Sequence, residues 1–381
     1  MKFLHTADLH IGKKIYELPL IEDQKHILSQ IYTIACTEGV DAVLIAGDVY
    51  DRALPPAEAV TLLDDFLTKL IGHGIKALMI SGNHDSPERI AFGEAMLDKQ
   101  GLYIAGNYSE MPKQVVLQDA WGEVCFTLMP FVKPAVTGYV TNEQAVRHML
   151  GQCGRNVKEG QRRVLMTHYF VVGENGEQPL LSEAETDVSV GGLDGVSAGC
   201  FEGFDYVALG HIHKAQQVGG SNIYYAGAPM KYAFSEALTD KSVQIVELGA
   251  KGQIQVSKRV LTPLHEMRCI RGRLEELMRQ ELIEGSERED YLQVTLTDTE
   301  ELIDPIGTLR SVYPNVLQLL LEKNIASEYA EYESRISGEL KSTTELFGEF
   351  YEMLKGEPMD ETRKLLVEEV AREAEEQGIR S

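Results

Sequence analysis

Five short segments of the chain end an apolar run on side chains that can bind a metal ion. They are Asp8-x-His10, Gly47-Asp48-x-x-Asp51, Gly82-Asn83-His84-Asp85, His168 and Gly210-His211-x-His213. Carboxylates, imidazoles and an amide oxygen suit hard or borderline divalent cations such as manganese, iron or zinc. No cysteine lies among them, which argues against a structural zinc site. A single motif of this kind is common in turns, but five of them predict one shared site.

The candidate ligands outnumber what one metal ion needs. They are the seven residues Asp8, His10, Asp48, Asn83, His168, His211 and His213. This number suits two divalent cations that share one carboxylate, an arrangement that polarises a phosphoryl group and activates an attacking water. We therefore expect two divalent metal ions, with Mn²⁺ favoured by the ligand types.

His84 stands apart from the ligands. Its neighbour Asn83 occupies the ligand position, so the imidazole is free to donate a proton to a leaving oxygen. The alternative is a histidine that only supports the ligands. Asp51 and Asp85 are candidates to hold its ring and its tautomer.

The runs that carry these motifs predict strands buried on both faces. KFLHTADLH, DAVLIAGDVYD, KALMISGNHD, RRVLMTHY and YVALGHIH are rich in apolar residues and show little alternation. Helical patterns lie between them: AEAVTLLDDFLTKLI follows Pro55-Pro56, and QKHILSQIYTIACTEG ends at Gly39. Because the carboxyl ends of parallel strands meet at one edge of a sheet, the motifs should converge there. The fold class is α/β, and hairpin-rich residues 101–131 and 222–261 favour a four-layer α/β/β/α sandwich.

The character of the chain changes near Leu261. We predict a catalytic domain over residues 1–260, a small α/β domain over 261–335 and a charged helical tail over 336–381. The tail has two apolar faces, formed by Leu346, Phe347, Phe350, Tyr351 and Leu354 and by Leu365, Leu366 and Val370. Each face either packs on its own domain or docks on a partner helix.

The bulk composition sets limits on the function. The formal net charge of −23 over 381 residues argues against a self-sufficient nucleic-acid binder, although bound metals or a basic partner can override it. Five scattered cysteines without a CxxC pair indicate neither a disulfide framework nor a zinc knuckle. No run approaches ~18 apolar residues, and MKFLHTADLH is not a signal peptide. We therefore expect a protein of the reducing cytoplasm.

Together these motifs resemble those of the calcineurin-like metallophosphoesterases. Within that superfamily, the stretches LHTADLHIGK, AGDVYDRALPPAEA, GNHDSPER, DYVALGHIHKAQ and YYAGAPMKYAFSE are similar to the SbcD-type nucleases, the bacterial branch of the double-strand-break repair nucleases. The resemblance covers nearly the whole chain and is strongest over residues 1–235. The tract before KYAFSE reads GAP where GSP is expected, and the first motif reads ADLH where SDWH is frequent. Neither departure changes a ligand.

The resemblance implies a role for each candidate residue. It assigns one metal to Asp8, His10, Asp48 and His213, and the other to Asp48, Asn83, His168 and His211, with Asp48 as the bridge. His84 would be the proton donor. Asp51 matches the position that orients this histidine in phosphatases of the superfamily, whereas archaeal repair nucleases carry histidine there.

The resemblance also implies partners. They are DNA and an SbcC-type ATPase that has long coiled coils. The assembly would contain two copies of each protein chain, and the nuclease would dimerise through helices of its catalytic domain. The small domain would cap the site and contact DNA, and the tail would dock on the coiled-coil root. Local phosphate contacts are candidate roles for Lys13, Lys14, Arg52, Arg89, Lys214 and Lys231, whose alternative is solvated surface charge.

Three functions compete. The first is a two-metal DNA phosphodiesterase, an exonuclease on duplex ends and an endonuclease on single strands or hairpins, in repair, recombination and replication. The second is a phosphatase or phosphodiesterase of the same superfamily with another substrate. The tract KYAFSE and the readings GDVYDRA and GNHD argue against it, since phosphoprotein phosphatases tend to read GDxxDRG and GNHE. The third is a non-catalytic scaffold, which the intact ligand set argues against.

Overall fold

The structure is a computed structural model that describes most of the chain. The described residues are 1–153, 158, 160–173, 176–182, 195–220, 222–284 and 286–322, with 347–348, 351, 358–360, 363–367 and 370 beyond them. In chain order the strands are β1 Lys2–Thr6, β2 Lys14–Ile15, β3 Leu18–Pro19, β4 Ala42–Ala46, β5 Lys76–Ile80, β6 Leu102–Ala105, β7 Lys113–Asp119, β8 Gly122–Leu128, β9 Arg162–Thr167, β10 Val171–Val172, β11 Val196–Ser197, β12 Tyr206–Leu209, β13 Gln216–Gln217, β14 Ile223–Tyr225, β15 Ser242–Leu248, β16 Ile254–Val260, β17 Met267–Gly272, β18 Tyr291–Leu296 and β19 Val316–Leu321.

Short and long helices separate these strands. They are α1 Ile21–Glu38, α2 Ala57–Gly72, α3 Pro87–Ile90, α4 Glu94–Leu97, α5 Pro134–Thr137, α6 Asn142–Cys153, α7 Leu274–Leu277, α8 Gln280–Glu284 and α9 Pro305–Arg310, with 3₁₀ turns at Asp98–Gln100, Ala198–Phe201 and Phe234–Glu236. The two long helices predicted from the sequence are confirmed. Helix α2 begins directly after Pro56, and α1 ends at Gly39, whose φ of 61° is the left-handed conformation that glycine adopts easily.

Two six-stranded sheets form the larger part of the molecule. The first has the order β16-β15-β1-β4-β5-β6, and the second has the order β13-β14-β12-β9-β8-β7. Strands β1, β4, β5 and β6 run parallel, as do β8, β9, β12 and β14. Antiparallel strands lie beyond them, including the hairpins β7–β8 and β15–β16. These hairpins account for the change of pattern seen in the sequence.

The layers follow from the alternation of side chains along the strands. Leu4 of β1 packs with α1 and α2 on the outer face of the first sheet, whereas its neighbour Phe3 faces the second sheet. Between the sheets, Phe3 meets Phe126 and Tyr206 edge to face. Helix α6 packs through Val146 on the outer face of the second sheet. The predicted four-layer α/β/β/α sandwich is confirmed.

The chain divides into two compact units. The larger contains Met1–Cys269, Glu287–Gln293 and Tyr313–Gln318, and the smaller contains Ile270–Ser286, Val294–Val312 and Leu319–Ser381. Strands β17, β18 and β19 form a three-stranded sheet. In the smaller unit the Asp304 carboxylate accepts a hydrogen bond from the amide of Gly307 at 3.1 Å and so caps α9.

The predicted domain bounds at 261 and 336 stay predictions. The helical tail lies largely outside the described residues, as do Leu346, Phe350 and Leu354 of its first apolar face. In the part of the chain that the structure describes, no helix has both the length and the apolar character needed to span a bilayer.

Candidate metal centre

All five motifs lie at the carboxyl ends of parallel strands. The residues that follow β1, β4, β5, β9 and β12 include Asp8, Asp48, Asn83, His168 and His211, respectively. The amide of His211 donates to Asp8 Oδ1 at 2.9 Å, and His168 Nδ1 donates to the carbonyl oxygen of Ala46 at 2.8 Å. Both hydrogen bonds join one sheet to the other. The packing of the sheets therefore brings together side chains that lie far apart in the sequence.

Three of the candidate ligands form one group. The metal-binding atoms of Asp8, His10 and His213 all lie within 4.8 Å of one another. The Nε2 atoms of the two imidazoles lie 3.2 Å apart. All three residues are buried. This group has the composition and the spacing of a site for one cation.

Three further ligands form a second group around an amide oxygen. His168 Nε2 and His211 Nδ1 each lie 3.0 Å from Asn83 Oδ1. Asp48 lies between the groups, with its Oδ2 atom 3.3 Å from His168 Nε2 and 3.7 Å from His10 Nε2. A carboxylate in this place can bridge two ions. The structure thus brings all seven predicted ligands together.

The second group has the electrostatics that a cation needs. Because His168 Nδ1 donates to a carbonyl, the Nε2 atom of a neutral ring presents a lone pair to Asn83 Oδ1 and Asp48 Oδ2. Buried acceptors that face one another require a positive charge between them. Burial alone would lower the pKa of His168, but Asp48 and Asp8 raise it to about 9. A proton on His168 can supply this positive charge, and a divalent cation bound by the same nitrogen and oxygen atoms can supply it as well.

The remaining imidazoles are poised as neutral ligands. Burial lowers the pKa of His10 to about 4 and that of His211 to about 3, and it lowers the pKa of His213 well below its usual value. Burial also opposes ionisation of Asp48, yet His168 and His10 hold its pKa below the usual range. Neutral imidazoles and an ionised carboxylate are the forms that bind metals.

The backbone of the site is strained. Four candidate ligands have a positive φ: Asp8 at 52°, His10 at 42°, Asp48 at 47° and His211 at 98°. Left-handed conformations cost residues other than glycine about 1–3 kcal/mol each when they are poorly populated. Such strain tends to concentrate where a side chain must be aimed at a ligand.

The glycines of the motifs allow the closest approaches in the site. A Cβ atom on Gly82 would overlap the side chain and the amide of Asp48, and one on Gly47 or Gly210 would overlap the imidazole of His168. In each of these GD, GN and GH pairs, the glycine lies so close to a ligand from another strand that no side chain fits at its position. The glycines before the ligands are visible in the sequence, but the residues that they contact are visible only in the fold.

His84 lies at the open side of the centre. Its Nδ1 atom donates to the carbonyl oxygen of Asp51 at 3.1 Å, and its amide donates to Asp48 Oδ1 at 2.9 Å. Its Nε2 atom lies 3.9 Å from Asp48 Oδ2, and the side chain is 42% exposed. The ring is thus held at one nitrogen, and the other nitrogen lies beside the ligands.

The two neighbouring aspartates have different contacts. The Asp51 carboxylate accepts from Lys13 Nζ at 2.7 Å and lies 3.7 Å from His10 Nδ1, so it is the main chain of Asp51 that contacts His84. The Asp85 carboxylate accepts from three main-chain amides, including that of Gly82 at 2.8 Å, and so ties the loops after β4 and β5 together. Burial, followed by the charge of Asp48, raises the pKa of Asp85 to about 6.

The basic residues near the site fall into two classes. Lys13 pairs with Asp51, and Lys231 pairs with Glu266. The others, Lys14, Arg52, Arg89 and Lys214, have exposed side chains. Arg52 Nε is 3.6 Å from Asp51 Oδ2.

Sequence reasoning assigned no role to three residues beside the ligands. Tyr232 packs its ring edge-on against His10 and His213, and Glu236 and Lys241 form an ion pair behind it. For Tyr232 and Glu236 the signal was the tract KYAFSE, which contains both residues, whereas Lys241 lies beyond it.

Comparisons with family models match two parts of the chain. Residues 1–215 match the model described as calcineurin-like phosphoesterase. Residues 263–354 match the model described as type 5 capsule protein repressor C-terminal domain. The first match covers more than half of the chain and includes every candidate ligand.

Two curated relatives match over nearly their whole length. The SbcD component of the nuclease SbcCD from Staphylococcus saprophyticus is 30% identical over 387 residues, covering 99% of this chain and 100% of the relative. The protein of the same name from Staphylococcus epidermidis is 29% identical over 371 residues, covering 95% of this chain and 96% of the relative.

Proposed function

The chain belongs to the calcineurin-like phosphoesterases and, within them, to the SbcD nucleases, and from this premise we propose that it is the metal-dependent DNA nuclease of an SbcCD-type complex. It acts as an exonuclease on duplex ends and as an endonuclease on single strands or hairpins, in DNA repair, recombination and replication. The observation that supports this most strongly is the convergence of seven candidate ligands and His84 at one edge of the sandwich.

Each of the two groups of ligands would bind one metal ion. Asp8, His10, Asp48 and His213 would hold one divalent ion, and Asp48, Asn83, His168 and His211 would hold the other, with Mn²⁺ as the proposed metal. When bound, the ions supply Lewis acidity toward the phosphate oxygens and toward the attacking water.

The chain itself supplies the proton. His84 donates it to the oxygen of the leaving nucleotide, because its Nε2 atom lies beside the ligands and its side chain is open to solvent. The carbonyl of Asp51 keeps the ring in one orientation by accepting from Nδ1. Asp51 is therefore a positioning residue in this proposal.

The partners follow from the charge of the chain as well as from its family. A net charge of −23 repels DNA, so a coiled-coil ATPase of the SbcC type would provide much of the phosphate attraction. Exposed Arg52, Arg89 and Lys214 would add local contacts. The assembly would be a homodimer of this chain within a heterotetramer, with the small domain over DNA and the tail on the coiled-coil root.

The test is degradation of a linear duplex with Mn²⁺, with and without the ATPase partner. Wild type is compared with His84→Gln and with His73→Gln, whose histidine is exposed at the end of α2. We expect His84→Gln to cut about 10²–10⁴-fold more slowly, as for the loss of a general acid, while it keeps wild-type metal content. His73→Gln should cut normally.

Other outcomes point elsewhere. Normal cutting by His84→Gln would remove the proton-donor role. A wild-type protein that hydrolyses a simple phosphodiester or phosphomonoester, but cuts no DNA under any condition, would shift the proposal to a phosphatase or phosphodiesterase with another substrate.

A further inference from the structure

A buried ion pair lies directly behind the first group of ligands. Lys241 Nζ is 2.8 Å from Glu236 Oε1, and the two side chains are 6% and 4% exposed. Burying two charges costs desolvation energy, and an apolar pair of similar volume is often at least as stable. A buried pair in this place therefore calls for a reason other than stability.

Both ends of the pair hold main-chain atoms of the site. Lys241 Nζ also donates to the carbonyl oxygen of His213 at 3.1 Å. Glu236 Oε2 accepts from the amide of Tyr232 at 2.7 Å. The pair thus connects the backbone of a candidate ligand with the backbone of the tyrosine that packs against it.

Tyr232 completes the connection. Its ring centroid lies 5.5 Å from that of His10 and 5.8 Å from that of His213, edge-on in both cases. Its hydroxyl donates to the carbonyl oxygen of Leu9 at 2.6 Å, next to His10 in the chain. One buried ring therefore contacts both imidazoles of the first group and fixes the backbone of one of them.

We propose that Tyr232, Glu236 and Lys241 form a clamp that positions His10 and His213 for one of the two metal ions. The clamp rests on the proposed function of these histidines as ligands. Loss of a residue that orients an imidazole ligand typically weakens metal binding about 10–100-fold. A buried ion pair suits this task, because any displacement of one charge leaves the other unpaired.

The second group of ligands has a separate support. His168 is oriented by the carbonyl oxygen of Ala46 and is enclosed by the backbone at Gly47 and Gly210. None of these atoms belongs to the clamp. Damage to the clamp should therefore weaken one metal ion and spare the other.

Manganese titration without DNA tests the clamp, with calorimetry and electron paramagnetic resonance as readouts. We expect wild type to bind two ions. Lys241→Met should bind one ion with wild-type affinity and the other about 10–100-fold more weakly. Lys241→Arg, which keeps the charge, should recover part of the lost affinity.

The chain offers a matched control at Lys113. Its Nζ atom also donates to a carboxylate and to a carbonyl oxygen, at 2.7 Å from Asp98 and 3.0 Å from Ile104. Lys113→Met removes the same kind of contacts outside the site, so it should keep both ions. Equal weakening of both ions by Lys241→Met, or no weakening, would overturn the proposal.

A second variant covers the case in which Lys241→Met does not fold. Tyr232→Phe keeps the ring and the ion pair but loses the hydroxyl that holds Leu9, and we expect it to weaken the same single ion. An unchanged titration of Tyr232→Phe would then overturn the clamp. Wild type that binds two ions but cuts no DNA would refute the nuclease proposal and leave the clamp standing, and wild type that binds no manganese would refute the clamp.

Discussion

The amino and carboxyl ends of the parallel strands differ in how their buried polar groups are paired. At the amino end of β9, Arg162 is 2% exposed and donates to Asp119 at 3.0 Å and to the carbonyl oxygens of Gly122 and Gly249 at 2.7 and 2.9 Å. At the carboxyl end of the same strand, His168 faces Asn83 and Asp48, whose oxygens are acceptors. The protein satisfies the charge at the first end and leaves acceptors converging at the second.

The difference separates stability from function. A buried charge whose partners all come from the protein stabilises one packing of the sheets. Where the oxygens of Asn83 and Asp48 converge with His168 Nε2 on a strained backbone, a proton on His168 or a bound cation must supply the positive charge. The four left-handed ligands all lie at this second end.

The largest expected effect comes from an aspartate-to-asparagine substitution, made once at each end of the strands. Asp119→Asn should lower the free energy of unfolding by about 3–5 kcal/mol, because it leaves the Arg162 cation buried without its carboxylate. Asp48→Asn should destabilise the metal-free protein less than this, because the His168 imidazolium can lose its proton whereas the Arg162 guanidinium cannot, and it should reduce metal-dependent hydrolysis to background. Urea unfolding and manganese content measure the two results. The contrast fails if Asp48→Asn unfolds as easily as Asp119→Asn.

Manganese itself should stabilise only through the carboxyl end. At a concentration a hundredfold above its dissociation constant, an ion bound to the folded state adds about 2.7 kcal/mol. Wild type and Asp119→Asn should both show a higher melting temperature with Mn²⁺, whereas Asp48→Asn should lose most of the increase. Thermal scans with Mn²⁺ and with a chelator measure it. An equal increase in Asp48→Asn would place the ions elsewhere.

A glycine substitution sharpens the comparison by adding one methyl group. Gly82→Ala forces a Cβ atom against Asp48, so we expect a loss of about 1–3 kcal/mol together with weaker metal binding. Gly151→Ala, in the last turn of α6 with open space around it, should instead add up to about 0.5–1 kcal/mol. Unfolding and manganese titration of both variants test this. Wild-type metal affinity in Gly82→Ala would contradict the close packing.

The smallest effect is a pH dependence at the amino end. Arg162 lowers the pKa of Asp119 well below its usual 3.8, against the effect of burial. The contribution of the ionised Asp119 carboxylate to stability is therefore complete above the pKa that this group has in the unfolded chain. It is lost as the pH falls toward the pKa of the group in the folded protein, at about 1.4 kcal/mol per pH unit. The difference between wild type and Asp119→Asn should be constant from pH 7 to about 5 and shrink below about 4. A constant difference at pH 3 would contradict the ion pair.

Much of the site was visible in local patterns. The apolar runs before Asp8, Asp48 and His168 predicted buried strands, and the polar residues after them predicted where each strand ends. Such patterns are local because side-chain burial and turn chemistry act over a few residues. Family resemblance then assigned the ligands.

Side-chain contacts over long sequence distances were beyond local patterns. Asp51 was expected to act on His84, and the structure shows that its carbonyl oxygen contacts that ring while its carboxylate pairs with Lys13. Lys13 and Lys231, considered for phosphate contacts, are engaged in ion pairs. Nothing in the spacing of these residues distinguishes a main-chain contact from a side-chain contact.

The sequence is sufficient to predict the succession of strands and helices along the chain, the layered α/β architecture and the chemical types of the ligands, since these depend on local burial patterns and residue chemistry. The contacts between distant residues depend on the folded chain: which acceptors face one another, which glycines leave room for His168 and Asp48, and which partners the buried charges have. Arg162 and Asp119 are 43 residues apart, and His211 and Asp8 are 203 residues apart. Strand pairing within the second sheet brings the first pair together, and the packing of one sheet on the other brings the second pair into contact.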